Sequence, residues 1–174
     1  MKKIILFAAL AAFNYANAQT NAYSYAMNTK KLKENAIASI VNAEASVSAI
    51  NAKALKNFSK HYVSAAGVQW YELKDKGVMC RFFQKGVLNK AYYNAKGSWV
   101  GTIASYEESL LPKNIRKSVN SFYPEYLIKL VDEINLSGYE TVFAVHIESL
   151  KYLKVLRITT DCEMEVIQEM EKQL

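Results

Sequence analysis

Two stretches of this chain follow the same order of residue types when they are placed 61 residues apart (111 minus 50). In this alignment Tyr62 matches Tyr123, and Gly77 matches Gly138. An aromatic residue, an apolar run and a turn glycine therefore fall in step without any gap. Self-similarity at a fixed period indicates that one structural unit is written more than once. We therefore predict a tandem repeat, which restricts the fold to two similar halves.

Each half predicts one helix followed by about four antiparallel strands. Asn51 and Pro112 suit helix starts, the first as a cap and the second at the first helical position. Apolar residues then recur at helical spacing, and runs that alternate between apolar and polar residues follow, separated by glycine turns. The run at 163–170 could instead be helical because it is rich in helix formers.

The predicted fold class is therefore α+β. It is a tandem repeat of helix plus four-stranded antiparallel sheet, with the helices packed on one sheet face. The first unit is predicted to span residues 50–110 and the second 111–174. Residues 19–49 form a partly flexible N-terminal segment, in which 32–47 could be a helix or a strand.

The N-terminus predicts an export signal. Lys2 and Lys3 precede an apolar run at 4–13, and Ala-Asn-Ala follows at 16–18. This order is typical of a signal peptide, cleaved here after Ala18, although a buried N-terminal helix is the alternative. No later apolar run reaches the roughly 18 residues that a membrane helix needs. The predicted location is periplasmic or secreted, with no membrane span.

The charge of the whole chain is mildly basic. It carries 22 Lys and Arg against 16 Asp and Glu, a net charge of +6, and removal of the predicted leader with Lys2 and Lys3 leaves +4. A nucleic-acid-binding domain usually carries a dense stripe of Lys and Arg, so no nucleic-acid partner is predicted. The predicted export signal also argues against a nucleic-acid partner.

Residues for catalysis or metal binding do not cluster in the sequence. His61 and His146 are far apart, and no zinc-type spacing of His and Cys occurs. Cys80 and Cys162 could pair in an oxidising compartment, although their settings favour two separate thiols. We predict no catalytic residues, no metal, no cofactor and no enzymatic activity.

The informative surface is predicted on one face of the first unit. Successive strand residues point to opposite sides of a sheet, so alternation separates a core face from an open face. The open face is rich in aromatic and cationic residues, the types enriched where proteins bind one another. Alternatively, this face packs inside the protein. The candidate partner-binding residues are Trp70, Met79, Arg81, Phe83, Lys85, Lys90 and Tyr92.

The motifs "LPKNI", "SFYPEY", "YELKDKGVMCRFF" and "AYYNAKGSW" resemble the PepSY-like family of small exported bacterial proteins. The resemblance covers about residues 50–170. It implies a fold similar to that of the beta-lactamase inhibitor protein (BLIP) and a non-catalytic binding or inhibitor module of the cell envelope. No catalytic residues carry over from the family.

Two functions follow as hypotheses from the sequence. The first is a module that binds an envelope protein partner through its open sheet face. The alternative is a periplasmic protein that binds a small molecule or lipid between sheet and helices. The sequence leaves the partner and the oligomeric state open.

Overall fold

The computed structural model describes residues 41–44, 50–73 and 76–172, and their strands form one antiparallel sheet. Strand order in the sheet equals strand order in the chain. In this part of the chain, eight longer strands follow a four-residue strand at one edge of the sheet. The strands are β1 (Val41–Glu44), β2 (Ala66–Leu73), β3 (Val78–Gln84), β4 (Val87–Tyr93), β5 (Trp99–Tyr106), β6 (Leu127–Leu136), β7 (Val142–Glu148), β8 (Tyr152–Thr159) and β9 (Met164–Glu171).

Within the described ranges, two short α-helices and one 3-10 helix accompany the sheet. Helix α1 is Ala52–His61, helix α2 is Lys113–Phe122, and the 3-10 helix is Glu108–Leu110. Among the described residues, no helix has the length and apolar character needed to cross a membrane. The strands hold most of the described residues, so the architecture is mostly β.

The predicted fold class, a tandem repeat of helix plus four-stranded sheet, is wrong. Strand β5 pairs with β6 from Gly101 opposite Leu136 to Tyr106 opposite Val131, and this pairing joins all the strands into one sheet. Periodicity identifies each strand but does not say which strands pair. Two separate sheets would leave the facing edges of β5 and β6 with unpaired backbone groups, which the joint satisfies. The predicted boundary between residues 110 and 111 falls in the β5–β6 connection.

The helix ends lie where local sequence signals place them. The Asn51 side chain accepts a hydrogen bond from the Lys53 amide at 2.9 Å, and α1 begins at the next residue. Pro112 immediately precedes α2. Tyr62 and Tyr123 follow the last helical residues, and each donates its backbone N–H to a helix carbonyl. The two residues that align in the 61-residue register therefore both lie at helix ends.

Both helices pack on the same face of the sheet. Under α1, Phe58 lies with its ring centroid 5.0 Å from Phe82 and 5.3 Å from Trp70, in edge-to-face contacts that favour aromatic packing. Under α2, Ile115 and Val119 pack on the strands of the second half. That cluster also contains Val131, Phe143, Val145, Ile147, Leu156 and Ile158.

The opposite face of the sheet, called here the open face because neither helix covers it, holds a third buried cluster. Its members come from β3 to β8. They are Met79, Tyr92, Ile103, Ile134, Val142, Ala144 and Val155. The centre of the open face is therefore buried, and only its margins supply exposed side chains.

Candidate functional site

The structure divides the seven predicted partner-binding residues into three groups. Arg81 is half-buried, Phe83 is 39 % exposed, and Lys85 is exposed in the turn after β3. The second group lies on the open face but is buried, and it consists of Met79, Lys90 and Tyr92. Trp70 is in neither group, because it lies on the helix-covered face.

The predicted position of Trp70 on the open face is wrong. Trp70 pairs with Cys80 across β2 and β3, and both belong to the buried cluster under α1. Its neighbour Tyr71 pairs with Met79 and points to the open face instead. A slip of one residue in strand register exchanges the two faces, and the prediction for β2 made that slip.

Four residues at the β2–β3 margin of the open face form a basic–aromatic strip, defined as Gln69, Arg81, Phe83 and Lys85. Phe83 and Lys85 are exposed, and Gln69 and Arg81 are half-buried. The Arg81 guanidinium carbon lies 5.5 Å from the centroid of the Phe83 ring, within the range of a cation–π contact. The Arg81 Nη1 group donates to Gln69 Oε1 at 3.1 Å. The guanidinium is thus held in place between an amide and a ring.

A β-bulge at the start of β2 shapes the strip. Ala66 pairs with Phe83 and Gln69 with Arg81, so β2 has one residue more than β3 over this span. Gly67 supplies the positive φ of 62°. A Cβ there would lie 3.6 Å from the Phe83 Cδ2 atom, an ordinary van der Waals contact, so the backbone angle rather than space favours glycine. Bulges are frequent at sheet margins and near binding sites, where they re-aim side chains.

A polar group lies on the open face between the buried apolar residues. Asp132, which is 1 % exposed, accepts a hydrogen bond from the Ser105 hydroxyl, and its Oδ2 atom lies 3.2 Å from His146 Nε2. A nucleophilic serine needs its hydroxyl on the imidazole, with the carboxylate behind it. Here the carboxylate stands between the two other groups. This geometry does not form a nucleophile–base pair.

The burial of this region also affects Tyr92. Burial, and to a lesser extent the nearby Asp132 charge, raises the pKa of the Tyr92 phenol above its ordinary value. The phenol therefore stays neutral at physiological pH and acts as packing rather than as a base. Among the residues that the structure describes, no three His, Cys, Asp or Glu side chains come together as a metal site.

The helix-covered face of the second half contains a lysine–tyrosine cluster that the sequence patterns did not predict. The Lys154 ammonium lies about 6 Å from three tyrosine rings, at 6.0 Å from Tyr123, 5.7 Å from Tyr126 and 5.8 Å from Tyr152. It also donates to Glu169 at 2.7 Å, and this hydrogen bond raises the pKa of Lys154. Tyr123 and Tyr126 lie in the connection between α2 and β6, whereas Tyr152 and Lys154 belong to β8, so no local pattern reveals the cluster.

The two cysteines are separate thiols, as their sequence settings favoured. Cys80 is fully buried under α1, and burial raises its pKa to about 12. Cys162 lies beside the cluster under α2, with its sulfur 3.5 Å from Asn114 Nδ2. A buried, protonated thiol reacts slowly, because the thiolate is the reactive form.

We therefore expect one fast-reacting thiol per native molecule. Alkylation with iodoacetamide at pH 8, followed by peptide mass spectrometry, should label Cys162 first. Cys80 should react only as the protein opens, and both should react in guanidinium chloride. Rapid native labelling of Cys80 would contradict its placement in the core.

Solved structures from several Bacteroides species have a similar fold, and three of them illustrate the degree of similarity. A DUF2874 family protein from Bacteroides uniformis has a TM-score of 0.58 and 17 % identity, covering 70 % of this chain and 89 % of that chain. A BLIP-like protein from Bacteroides fragilis gives 0.57 and 18 %, with 70 % and 86 % coverage. A proposed periplasmic protein from Bacteroides eggerthii gives 0.56 and 15 %, with 69 % and 87 % coverage.

These structural similarities establish only the fold, because the sequence identities are low. The predicted similarity to the BLIP fold is confirmed at that level. No protein-family model and no curated protein sequence matches this chain.

Proposed function

We propose that this chain is an exported, non-catalytic binding protein of the PepSY-like type, which contacts a protein partner through the basic–aromatic strip. Structures with similar folds include a BLIP-like protein and a proposed periplasmic protein, which supports this choice of class. The observation that carries the proposal is the Arg81–Phe83 pair, a stacked cation and ring held at the exposed margin of a buried sheet face.

The strip has the physical properties of a contact surface. Arg and aromatic side chains are enriched at binding hot spots, where most of the free energy of association is concentrated. The Arg81 side chain is already fixed by Gln69, so binding costs little of its conformational entropy. Met79, which lies on the same face of β3 two residues before Arg81, is buried and borders the strip.

A capture experiment with matched variants tests the proposal. The purified protein would be immobilised and exposed to an envelope extract of its source, and the recovered partner then titrated against Phe83→Ala and Arg81→Ala. Each change should weaken binding by about 2 kcal/mol, roughly 30-fold, if the residue is a hot spot. Stability should change by about 0.5 kcal/mol or less, because both side chains are partly exposed.

The matched control is Tyr139→Ala. Tyr139 is an aromatic residue that is 50 % exposed in the turn after β6, at the opposite end of the sheet from Phe83. This variant should bind like the unaltered protein. Equal losses in Phe83→Ala and Tyr139→Ala, or no loss in either strip variant, would count against the strip as the contact surface.

Export is a separate part of the proposal. The leader at 1–18 lies outside the described residues, as does the segment 19–40. Expression in the source organism should yield a chain that begins at Gln19, which intact-mass analysis of the envelope fraction would detect. A cytosolic chain that retains Met1 would contradict export.

A further inference from the structure

Charge is divided unequally between the two halves of the chain. Residues 50–106 contain nine Lys or Arg and two Asp or Glu, a net charge of +7. Residues 107–174 contain eight and twelve, a net charge of −4. The mild excess of the whole chain conceals this division.

The fold converts this division along the chain into a division in space. Because strand order equals chain order, α1 and β2 to β5 form a cationic side of the sheet, and α2 with β6 to β9 forms an anionic side. Three Lys–Glu ion pairs form between described residues, and all of them lie in the second half. They are Lys129–Glu148, Lys154–Glu169 and Lys172–Glu148.

Helix α1 presents three of the nine basic residues of this half on one surface. Lys53, Lys56 and Lys60 are exposed, and the helix contains no acidic residue. Positions three and four apart lie on one face of a helix, so the three ammonium groups form a stripe along about 10 Å of its axis. Lys53 donates to Ser98 Oγ at 2.9 Å, whereas Lys56 and Lys60 form no ion pair with any described residue.

We propose that this lysine stripe, defined as Lys53, Lys56 and Lys60, is a docking surface for an acidic stretch of a protein partner. Like charges held at fixed spacing repel one another, and a row of carboxylates relieves that repulsion on binding. The field of the cationic half speeds the encounter with such a partner and makes binding weaken as salt rises. The stripe lies on the helix side of the sheet, so the proposal is independent of the strip on the open face.

The chemistry of α1 favours a protein over a lipid bilayer. Its outward positions are occupied by small or polar residues, and its large apolar side chains, Leu55 and Phe58, pack against the sheet. Helices that lie in a membrane interface present large apolar residues to the lipid, which α1 does not. Carboxylates on an extended or helical segment fit three ammonium groups spaced by one to two helical turns.

Poly-L-glutamate serves as the probe for acidic polypeptide. Its binding to the full protein, followed by fluorescence anisotropy of the labelled polymer, should be measurable at 20 mM NaCl and should be lost at 500 mM. The test variant is Lys56→Glu with Lys60→Glu. Its affinity at 20 mM NaCl should fall by about tenfold or more, because two contacts become repulsive.

The matched control is Lys113→Glu with Lys117→Glu on α2. Both pairs are exposed lysines four residues apart, and both variants change the net charge equally. The control should keep its affinity within about twofold, because α2 belongs to the anionic half. Thermal midpoints close to that of the unaltered protein would show that both variants fold.

Two results would overturn the proposal. Equal losses in the two variants would show that only net charge matters. Sedimentation with vesicles containing 30 % phosphatidylglycerol, dependent on Lys56 and Lys60 and without binding of poly-L-glutamate, would show that the stripe meets a lipid surface.

Discussion

Replacing Phe82 by alanine is expected to lower the free energy of unfolding by about 3–5 kcal/mol, because it removes a fully buried ring and leaves a cavity. Phe82 is 0 % exposed and contacts the rings of Phe58 and Tyr62. Trp70→Ala should have an effect of the same size, since Trp70 belongs to the same cluster. Chemical denaturation of the purified variants measures both values.

The adjacent residue provides an internal control. Phe83 follows Phe82 in β3 but faces the other side of the sheet and is partly exposed. Phe83→Ala should therefore change stability by about 0.5 kcal/mol or less. If Trp70→Ala behaved like Phe83→Ala, the register of β2 against β3 would be wrong and Trp70 would return to the candidate contact surface.

Replacing Gly101 by valine is expected to weaken the joint between β5 and β6. A Cβ atom at this position would lie 2.8 Å from the backbone oxygen of Asn135 and 2.6 Å from the Leu136 side chain. Backbone cannot yield as a flexible side chain does, so the strands must separate locally. Overpacking of this kind costs about 1–3 kcal/mol, and the added γ-methyl groups place valine at the upper end. Thermal unfolding followed by circular dichroism measures the loss.

The control for this prediction is Gly86→Ala in the β3–β4 turn. Gly86 has a φ of +80°, but a Cβ there would meet nothing within 4 Å. Its replacement should cost about 1 kcal/mol for the left-handed backbone alone. A Gly101→Val protein as stable as this control would indicate that β5 and β6 are not tightly joined.

The parts of the fold that depend on neighbouring residues could be predicted from the sequence. Asn51 and Pro112 mark helix starts through their own side chains, and the two helix-ending tyrosines follow within a dozen residues. The pairing of β5 with β6 could not be predicted in this way. It depends on how the chain returns after α2, and no local pattern encodes that return.

The candidate site also contains some features that the sequence could predict and others that it could not. Alternation placed Arg81 and Phe83 on the correct face because β3 and β4 are joined by a tight turn at Lys85 and Gly86. Alternation gave the wrong face for Trp70, because the connection between β2 and β3 is longer and the register of these two strands could not be read from it. The burial of Lys90 was also beyond the sequence, since exposure depends on the curvature and covering of a whole sheet face.

The sequential order of the strands has a consequence for the rate of folding. Each strand pairs only with the strands before and after it in the chain, and the helices occupy the two longest connections. The contacts are therefore short in sequence separation, and little chain entropy is lost in closing each loop. Proteins with such low contact order fold faster than sandwiches built from long crossovers. A sheet of this kind can grow outward from any one of its hairpins.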